Sequence, residues 1–280
     1  MTDQYAVVGN PVEHSLSPEI HAAFARETGQ DLSYGRIRAP LDGFTAVVAK
    51  FRDEGGSGLN VTLPFKHEAW DVSQPQGTAR AARAVNTLKF ERGAILGFNT
   101  DGTGLVRDLT GNLQCAVRGR RVLLMGAGGA SYGVVEPLLR EAPAQLVIAN
   151  RTEEKARDLA AHFGARAGAP ALGELAALGY DRLRDMQFDI VINATSAGLS
   201  GAMPSLPEGV LAPGALAYDM VYGKETAFMT FAAARGARTA DGLGMLVEQA
   251  AESFFIWRGV RPSTKPVIER LRRGRMNVEG

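Results

Sequence analysis

The sequence predicts an α/β protein of two domains, and three observations lead there. At 280 residues the chain is long enough for two modest domains, each usually about 100 to 200 residues. Short apolar runs alternate with helical patterns through the first hundred residues. From Gly119 onward the same alternation sharpens into strand, glycine turn, helix and strand.

Composition narrows the class further. With 45% hydrophobic and 22% charged residues, the chain matches an ordinary globular protein, and no internal repeat or low-complexity segment is seen. Lysine plus arginine (31) nearly balances aspartate plus glutamate (30), so no global field draws it to nucleic acid or an anionic membrane. A small molecule is the expected partner, with the protein a monomer or a homodimer. The single cysteine, Cys115, has no internal disulfide partner and reads as an inert small hydrophobe. Met1-Thr2-Asp3-Gln4 lacks the features of a signal peptide, and no apolar run reaches the roughly 18 residues of a membrane span, so a cytoplasmic home is expected. His14, His21, His67 and His162 have no metal-ligand spacing; solvated or capping roles are expected, and no metal.

In the first domain Tyr5-Ala6-Val7-Val8 is strand-like and stops at Gly9-Asn10-Pro11. A helix is expected to start at Ser17-Pro18, with serine as N-cap, proline at the first helical position, and Ile20 and Phe24 turned inward. Further strands are expected at Gly58 to Val61 and Ala84 to Leu88, with a hairpin turn near Arg92-Gly93.

In the second domain Val122 to Met125 is a strand, followed by a glycine turn, a helix to about Arg140, and a strand at Leu146 to Ala149. Phe188 to Ile192 and Ala215 to Tyr218 read as later strands of the same sheet, separated from the earlier ones by an alanine-rich stretch around Leu172 to Gly179. Strands that are apolar throughout imply a parallel sheet covered on both faces, here a Rossmann-type doubly wound sheet. Helices at about Met245 to Trp257 and Pro266 to Arg273 are expected to return to the first domain. The expected division is 1–101 plus 242–280 for one domain and 102–241 for the other. The arginines at 270, 272, 273 and 275 read as a solvated helix face.

Gly126-Ala127-Gly128-Gly129-Ala130-Ser131 follows a buried strand and opens a helix, a context in which the backbone can approach a pyrophosphate with its amides turned toward it. Ser131 stands where a third glycine or alanine is usual, and is small enough for close packing. At the end of the next strand an acidic residue would serve the ribose hydroxyls of NAD; this chain has Asn150-Arg151-Thr152 instead. Arg151 can pair with a 2′-phosphate in a forked geometry and Lys155 can add a charge, which favours NADP. A solvated arginine before a helix capped by Thr152 is the alternative. Asn193 to Gly198 follows another buried strand, either lining the cofactor groove or forming a simple polar turn.

Several polar clusters in the first domain remain: Ser15-Leu16-Ser17-Pro18, Asn60 to Lys66, Ala84-Val85-Asn86-Thr87, and Gly97-Phe98-Asn99-Thr100-Asp101. Taken in order with Asp241-Gly242-Leu243-Gly244-Met245-Leu246-Val247-Glu248-Gln249-Ala250, they resemble the shikimate dehydrogenase family from Tyr5 to the final helix. The resemblance implies reversible NADPH-dependent reduction of 3-dehydroshikimate to shikimate, on the route toward aromatic amino acids. It implies that Ser15 and Ser17 bind the substrate carboxylate, that Thr62, Asn86, Tyr222 and Gln249 address its carboxylate or hydroxyls, and that Asn60 lies close by. Lys66 and Asp101 would form the catalytic pair, since a donor beside a ketone oxygen stabilises developing charge and supplies the proton. Asn150, Arg151, Thr152 and Lys155 would meet the adenosine phosphate, and Thr195, Met220 and Gly242 the rest of the dinucleotide, although Met220 can equally be core. The chain departs from the family pattern at Arg83, commonly glycine, at Tyr132, often arginine, and at Phe98, commonly tyrosine or aspartate. Two alternatives stay open: a quinate/shikimate dehydrogenase, against which the serine pair and Arg151 weigh, and a non-catalytic dinucleotide sensor, against which Lys66 and Asp101 speak.

Overall fold

A computed structural model describes residues 2–164, 174–195, 197, 202–203 and 205–276. The chain divides into two compact units, one of Met1–Gly104 with Leu246–Gly280 and one of Leu105–Met245.

The first unit contains β1 (Asp3–Gly9), α1 (Ser17–Thr28), β2 (Leu32–Arg38), α2 (Phe44–Asp53), β3 (Gly56–Val61), α3 (Lys66–Asp71), β4 (Gln74–Pro75), α4 (Thr78–Ala82), β5 (Thr87–Glu91), β6 (Ala94–Phe98) and the start of α5 (Asp101–Arg107). Its sheet runs β2-β1-β3-β5-β6-β4, parallel across β2, β1 and β3 and antiparallel across β3, β5 and β6. Arg92 and Gly93 join β5 to β6 with φ of 50° and 80°, the two left-handed residues that a twist-matched two-residue hairpin needs. Alternate residues Ala6, Val8, Leu59, Val61 and Leu88 point to one face and pack on Phe44, Val48 and Phe65.

Register brings the polar clusters to one edge. Val8 pairs with Val61, so the loops leaving β1 and β3 emerge side by side. Asn60 pairs with Thr87 and Thr87 with Phe98, which sets the start of β5 and the end of β6 at that same edge.

The second unit runs through a short π-helix at Asp108–Asn112 to β7 (Arg121–Met125), α6 (Gly129–Arg140), β8 (Gln145–Ala149), α7 (Glu153–Gly164), β9 (Glu174–Leu178), β10 (Phe188–Asn193), β11 (Leu211–Asp219), α8 (Ala227–Ala233) and β12 (Arg238–Asp241). The strand order is β12-β11-β10-β7-β8-β9, and every pairing is parallel. Strand succession therefore reverses between β7 and β10, a topological switch point, where such sheets bind ligands at their carboxyl ends. Met125 pairs with both Ala149 and Asn193, and Asn193 with Asp219, so the four following turns share one edge. The central strands β7, β8 and β10 and the second half of β11 are buried on both faces, as their apolar runs require. The last helices are α9 (Leu243–Arg258), whose first turn holds the boundary between the units, and α10 (Lys265–Met276).

Three local expectations need correction. The strand placed at Ala84 to Leu88 begins at Thr87, because the amides of Val85 and Asn86 bond instead to the carbonyls of Lys66 and Phe98. The alanine-rich stretch at Leu172 to Gly179 is not merely a separator: its described part holds β9, an edge strand paired with β8, where short side chains suffice on one half-covered side. Ser17 does not cap α1. It is already helical, Leu16 precedes it, and the Ser15 hydroxyl accepts from the Ser17 amide.

Candidate active site

In the first unit Lys66 opens α3 and Asp101 opens α5. Lys66 Nζ donates to Asp101 Oδ2 at 2.6 Å, and the two side chains keep 25% and 12% exposure, enough for a small molecule to reach them. Asn86 Nδ2 donates to the other oxygen, Asp101 Oδ1, at 2.8 Å. The orientation of Asn86 is set from behind, because its Oδ1 accepts from the backbone amide of Thr100 at 2.9 Å. Asn99 fixes the start of α5: its Oδ1 accepts from the Asp101 amide and its Nδ2 donates to the Ala84 carbonyl. A carboxylate clamped on each oxygen by a different donor has one rotamer open to it, and the ammonium it holds is aimed accordingly.

The remaining candidates of this unit lie around that pair. Gln249 reaches in from α9, its Oε1 accepting from Asn86 Nδ2 and Thr100 Oγ1 at 3.3 Å. Thr62 is half-buried in the loop after β3, four residues before Lys66. Ser15 and Ser17 touch one another at 3.2 Å, and the guanidinium of Arg36 donates to the Ser15 carbonyl, anchoring the loop.

Asn60 is a different case. Its Oδ1 accepts from Tyr34 Oη at 2.7 Å, while its Nδ2 is shared among the Asn86 carbonyl, Thr87 Oγ1 and Ser253 Oγ. Both ends of the carboxamide are thus spent on the protein. Tyr34, Thr87, Thr100 and Ser253 were not singled out from the sequence. Thr87 and Thr100 adjoin Asn86 and Asp101, and Ser253 stands one helical turn beyond Gln249, which was the available signal. Nothing local marked Tyr34.

His21 also corrects an expectation, being neither solvated nor a cap. It is fully buried, stacks on Tyr34 at 4.2 Å and meets Phe24 edge-on at 6.0 Å. Neither ring nitrogen has a hydrogen-bond partner. Burial pulls its pKa down to about 3, with the nearby Asn60 side chain acting in the opposite sense, so the ring is a neutral member of an aromatic cluster.

In the second unit the turn after β7 leads into α6, whose N-cap Gly128 makes no side-chain capping bond. A Cβ at Gly128 would meet nothing within 4 Å, so open space lies over the unpaired amides of the first turn. Gly126 has φ of 103°, and a Cβ there would come within 3.1 Å of Thr195 Cγ2, so glycine is needed on both counts. Ser131 does more than fit: its buried hydroxyl donates to the Gly126 carbonyl at 2.8 Å and pins the turn. Ala127, Gly129 and Ala130 complete it, partly or fully exposed.

After β8, Asn150 Nδ2 donates to the Thr152 carbonyl, shaping a turn that leaves Arg151 and Lys155 exposed. Arg151 lies close enough to Tyr180 to oppose the rise, to about 12, that burial gives the phenol. After β10, Asn193 Oδ1 accepts from the amide and hydroxyl of Thr195. Met220 follows β11 half-buried, and a Cβ on Gly242 would sit 2.3 Å from the Met220 carbonyl oxygen, which places these two candidates in contact. Tyr222 lies two residues beyond Met220 in the same turn. Ser196 and Gly198, and the side chain of Arg275, lie outside the described residues.

An amide-rich helix start, an exposed arginine and lysine, and the absence of a carboxylate at position 150 form a donor set suited to a dinucleotide with an extra phosphate. Among the described residues no group of three or more His, Cys, Asp or Glu is placed to hold a metal ion, and no helix is long and apolar enough to cross a membrane.

Comparison with known proteins gives matches along almost the whole chain. Residues 7–88 match the family model for the shikimate dehydrogenase substrate binding domain, 108–200 that for shikimate / quinate 5-dehydrogenase, and 242–272 that for the shikimate 5′-dehydrogenase C-terminal domain. The shikimate dehydrogenase (NADP(+)) of Nitrosospira multiformis is 58% identical over 275 residues, covering 97% of this chain and 98% of its own. Among solved structures, an Ael1 enzyme from Pseudomonas putida superimposes with a TM-score of 0.90 at 47% identity, covering 96% of this chain and 98% of that one. Shikimate 5-dehydrogenase from Thermus thermophilus, in complex with NADP(H) and shikimate, gives 0.85 at 31% identity over 97% of this chain and 99% of its own.

Proposed function

This chain belongs to the shikimate dehydrogenase family, and from that premise we propose that it catalyses the reversible NADPH-dependent reduction of 3-dehydroshikimate to shikimate. The observation that carries the proposal is near-full-length identity of 58% to an enzyme of that name, and the hydrogen bond between Lys66 and Asp101 supports it.

NADP is to be held by Gly126 to Ala130 at the pyrophosphate, by Asn150, Arg151, Thr152 and Lys155 at the adenosine phosphate, and by Thr195, Met220 and Gly242 elsewhere. When bound, it supplies the hydride that converts the ketone carbon to a carbinol. Ser15 and Ser17 hold the substrate carboxylate, and Thr62, Asn86, Gln249 and Tyr222 address the ring hydroxyls through short directed hydrogen bonds. Asn60, with its carboxamide spent on Tyr34, Thr87 and Ser253, supports Asn86 from behind and does not itself grip the ring.

Lys66 gives a proton from Nζ to the ketone oxygen as negative charge builds there, and takes the hydroxyl proton in the reverse direction. Asp101 accepts from Lys66 at 2.6 Å and so aims the ammonium, and Asn86 keeps the carboxylate from turning away. A cytoplasmic location and a monomer or homodimer go with this proposal.

Purified protein incubated with 3-dehydroshikimate and NADPH tests it. Shikimate should form mole for mole with NADPH consumed. Binding of NADPH with no product at any pH would replace the proposal with a dinucleotide sensor.

A further inference from the structure

Asp219, the last residue of β11, has no solvent exposure and lies between the turns that carry Thr195 and Met220. Its Oδ2 accepts from Asn193 Nδ2 at 3.0 Å and from the Thr226 hydroxyl at 2.6 Å, and its Oδ1 accepts from the Val221 amide at 2.9 Å. With three donors turned on its two oxygens, the Asp219 carboxyl group serves as an acceptor at each. It therefore forces Asn193 to present its amide group backward and its carbonyl forward, where Oδ1 takes the Thr195 amide at 3.1 Å and hydroxyl at 2.7 Å. The methyl of that same Thr195 packs over Gly126, and the main-chain carbonyl of Asn193 takes the Met220 amide at 3.0 Å.

The geometry points to Asp219 as a positioning residue for dinucleotide binding, a role that rests on the cofactor function proposed above for this unit. Asp219 selects one of the two amide orientations of Asn193, and through it fixes Thr195 against the glycine turn. Its second oxygen fixes the Met220–Val221 peptide. One buried carboxylate thus ties together the turns after β7, β10 and β11. In Asp219→Asn the selection is reversed, because the Val221 amide keeps the new carboxamide's oxygen and leaves its nitrogen facing Asn193, which then turns its own nitrogen toward the Thr195 amide.

The test uses the full-length protein, with NADPH titrated in and followed by its fluorescence, and shikimate binding measured separately by calorimetry. Asp219→Asn should raise the Kd for NADPH by about tenfold or more, the size of a lost bond to a charged group, and leave the Kd for shikimate within about twofold. The exchanged pair Asn193→Asp with Asp219→Asn restores acceptor to Thr195 and donor to its neighbour, and should recover NADPH affinity to within about threefold. Asp219→Asn binding NADPH as the parent does, or a folded exchanged pair binding it as poorly as the single variant, would overturn the assignment. If Asp219→Asn alone does not fold, the exchanged pair decides by the same comparison with the parent. Failure of the parent itself to bind NADPH would count against the cofactor function of the unit and not against Asp219.

Discussion

Lys66 Nζ lies 2.6 Å from Asp101 Oδ2, and each of the two residues is the first of a helix, α3 and α5. Helix starts tolerate a side chain turned back across the cap, so a pair built there can face a ligand without disturbing helix packing. Replacing Lys66 with alanine removes the proposed proton donor and leaves the serines, Thr62 and Asn86 in place. Turnover should fall by about a hundredfold or more while the KM for shikimate changes little. Steady-state kinetics separate this from a positioning role, in which KM would rise and turnover would hold.

Arg151 and Lys155 are exposed beside a turn that carries no carboxylate. Arg151→Ala should raise the KM for NADP by about tenfold or more, because the proposed forked pairing with phosphate is lost, and should leave the KM for NAD nearly unchanged. Parallel loss with both cofactors would place the arginine elsewhere on the dinucleotide.

His21 is buried without a hydrogen-bond partner and has its pKa lowered to about 3 by burial. The unfolded chain binds that proton near pH 6.5, so between about pH 6.5 and 3 the unfolded state holds one more proton and stability falls as pH falls. His21→Phe keeps an aromatic ring against Tyr34 and removes the titration. Between pH 8 and pH 5 the parent should lose about 2 kcal/mol more stability than the variant, measured by urea unfolding at both values. Equal losses would show that another group accounts for the acid sensitivity.

Arg83 caps α4 in the left-handed conformation with φ of 49°, and its carbonyl receives His67 Nδ1 at 2.8 Å. Glycine keeps the carbonyl and relieves the Cβ, at some cost in unfolded-state entropy. Arg83→Gly should therefore stabilise the protein by about 0.5 to 1 kcal/mol, visible as a raised thermal midpoint with unchanged NADPH affinity. A lowered midpoint would mean that the exposed arginine makes a compensating contact.

Much of this was legible in the sequence because it depended on local rules. Runs such as Val122 to Met125 and Phe188 to Ile192 are apolar on both faces, which only a covered parallel sheet accommodates, and the glycine turn between strand and helix follows from backbone sterics at Gly126. The closeness of Lys66 and Asp101 was not readable from two residues 35 apart in number. It follows from the antiparallel register of Asn60 with Thr87 and Thr87 with Phe98, which only the folded sheet supplies. Buried polar hubs were missed for the same reason. Tyr34, Ser253 and Asp219 look like ordinary residues of a strand, a helix and a strand end until tertiary packing gives each a partner far along the chain or across a turn. His21 misled because histidine is polar by composition, whereas its place on α1 beside Ile20 and Phe24 puts the ring in the core.

The most direct test of the assigned chemistry is a comparison of kcat/KM for oxidation of shikimate and of quinate, each with NADP and with NAD, on the same purified protein. Shikimate with NADP should exceed every other combination by about a hundredfold or more, as expected where buried polar groups and a phosphate-pairing arginine must be satisfied. A preference for quinate with NAD would contradict it.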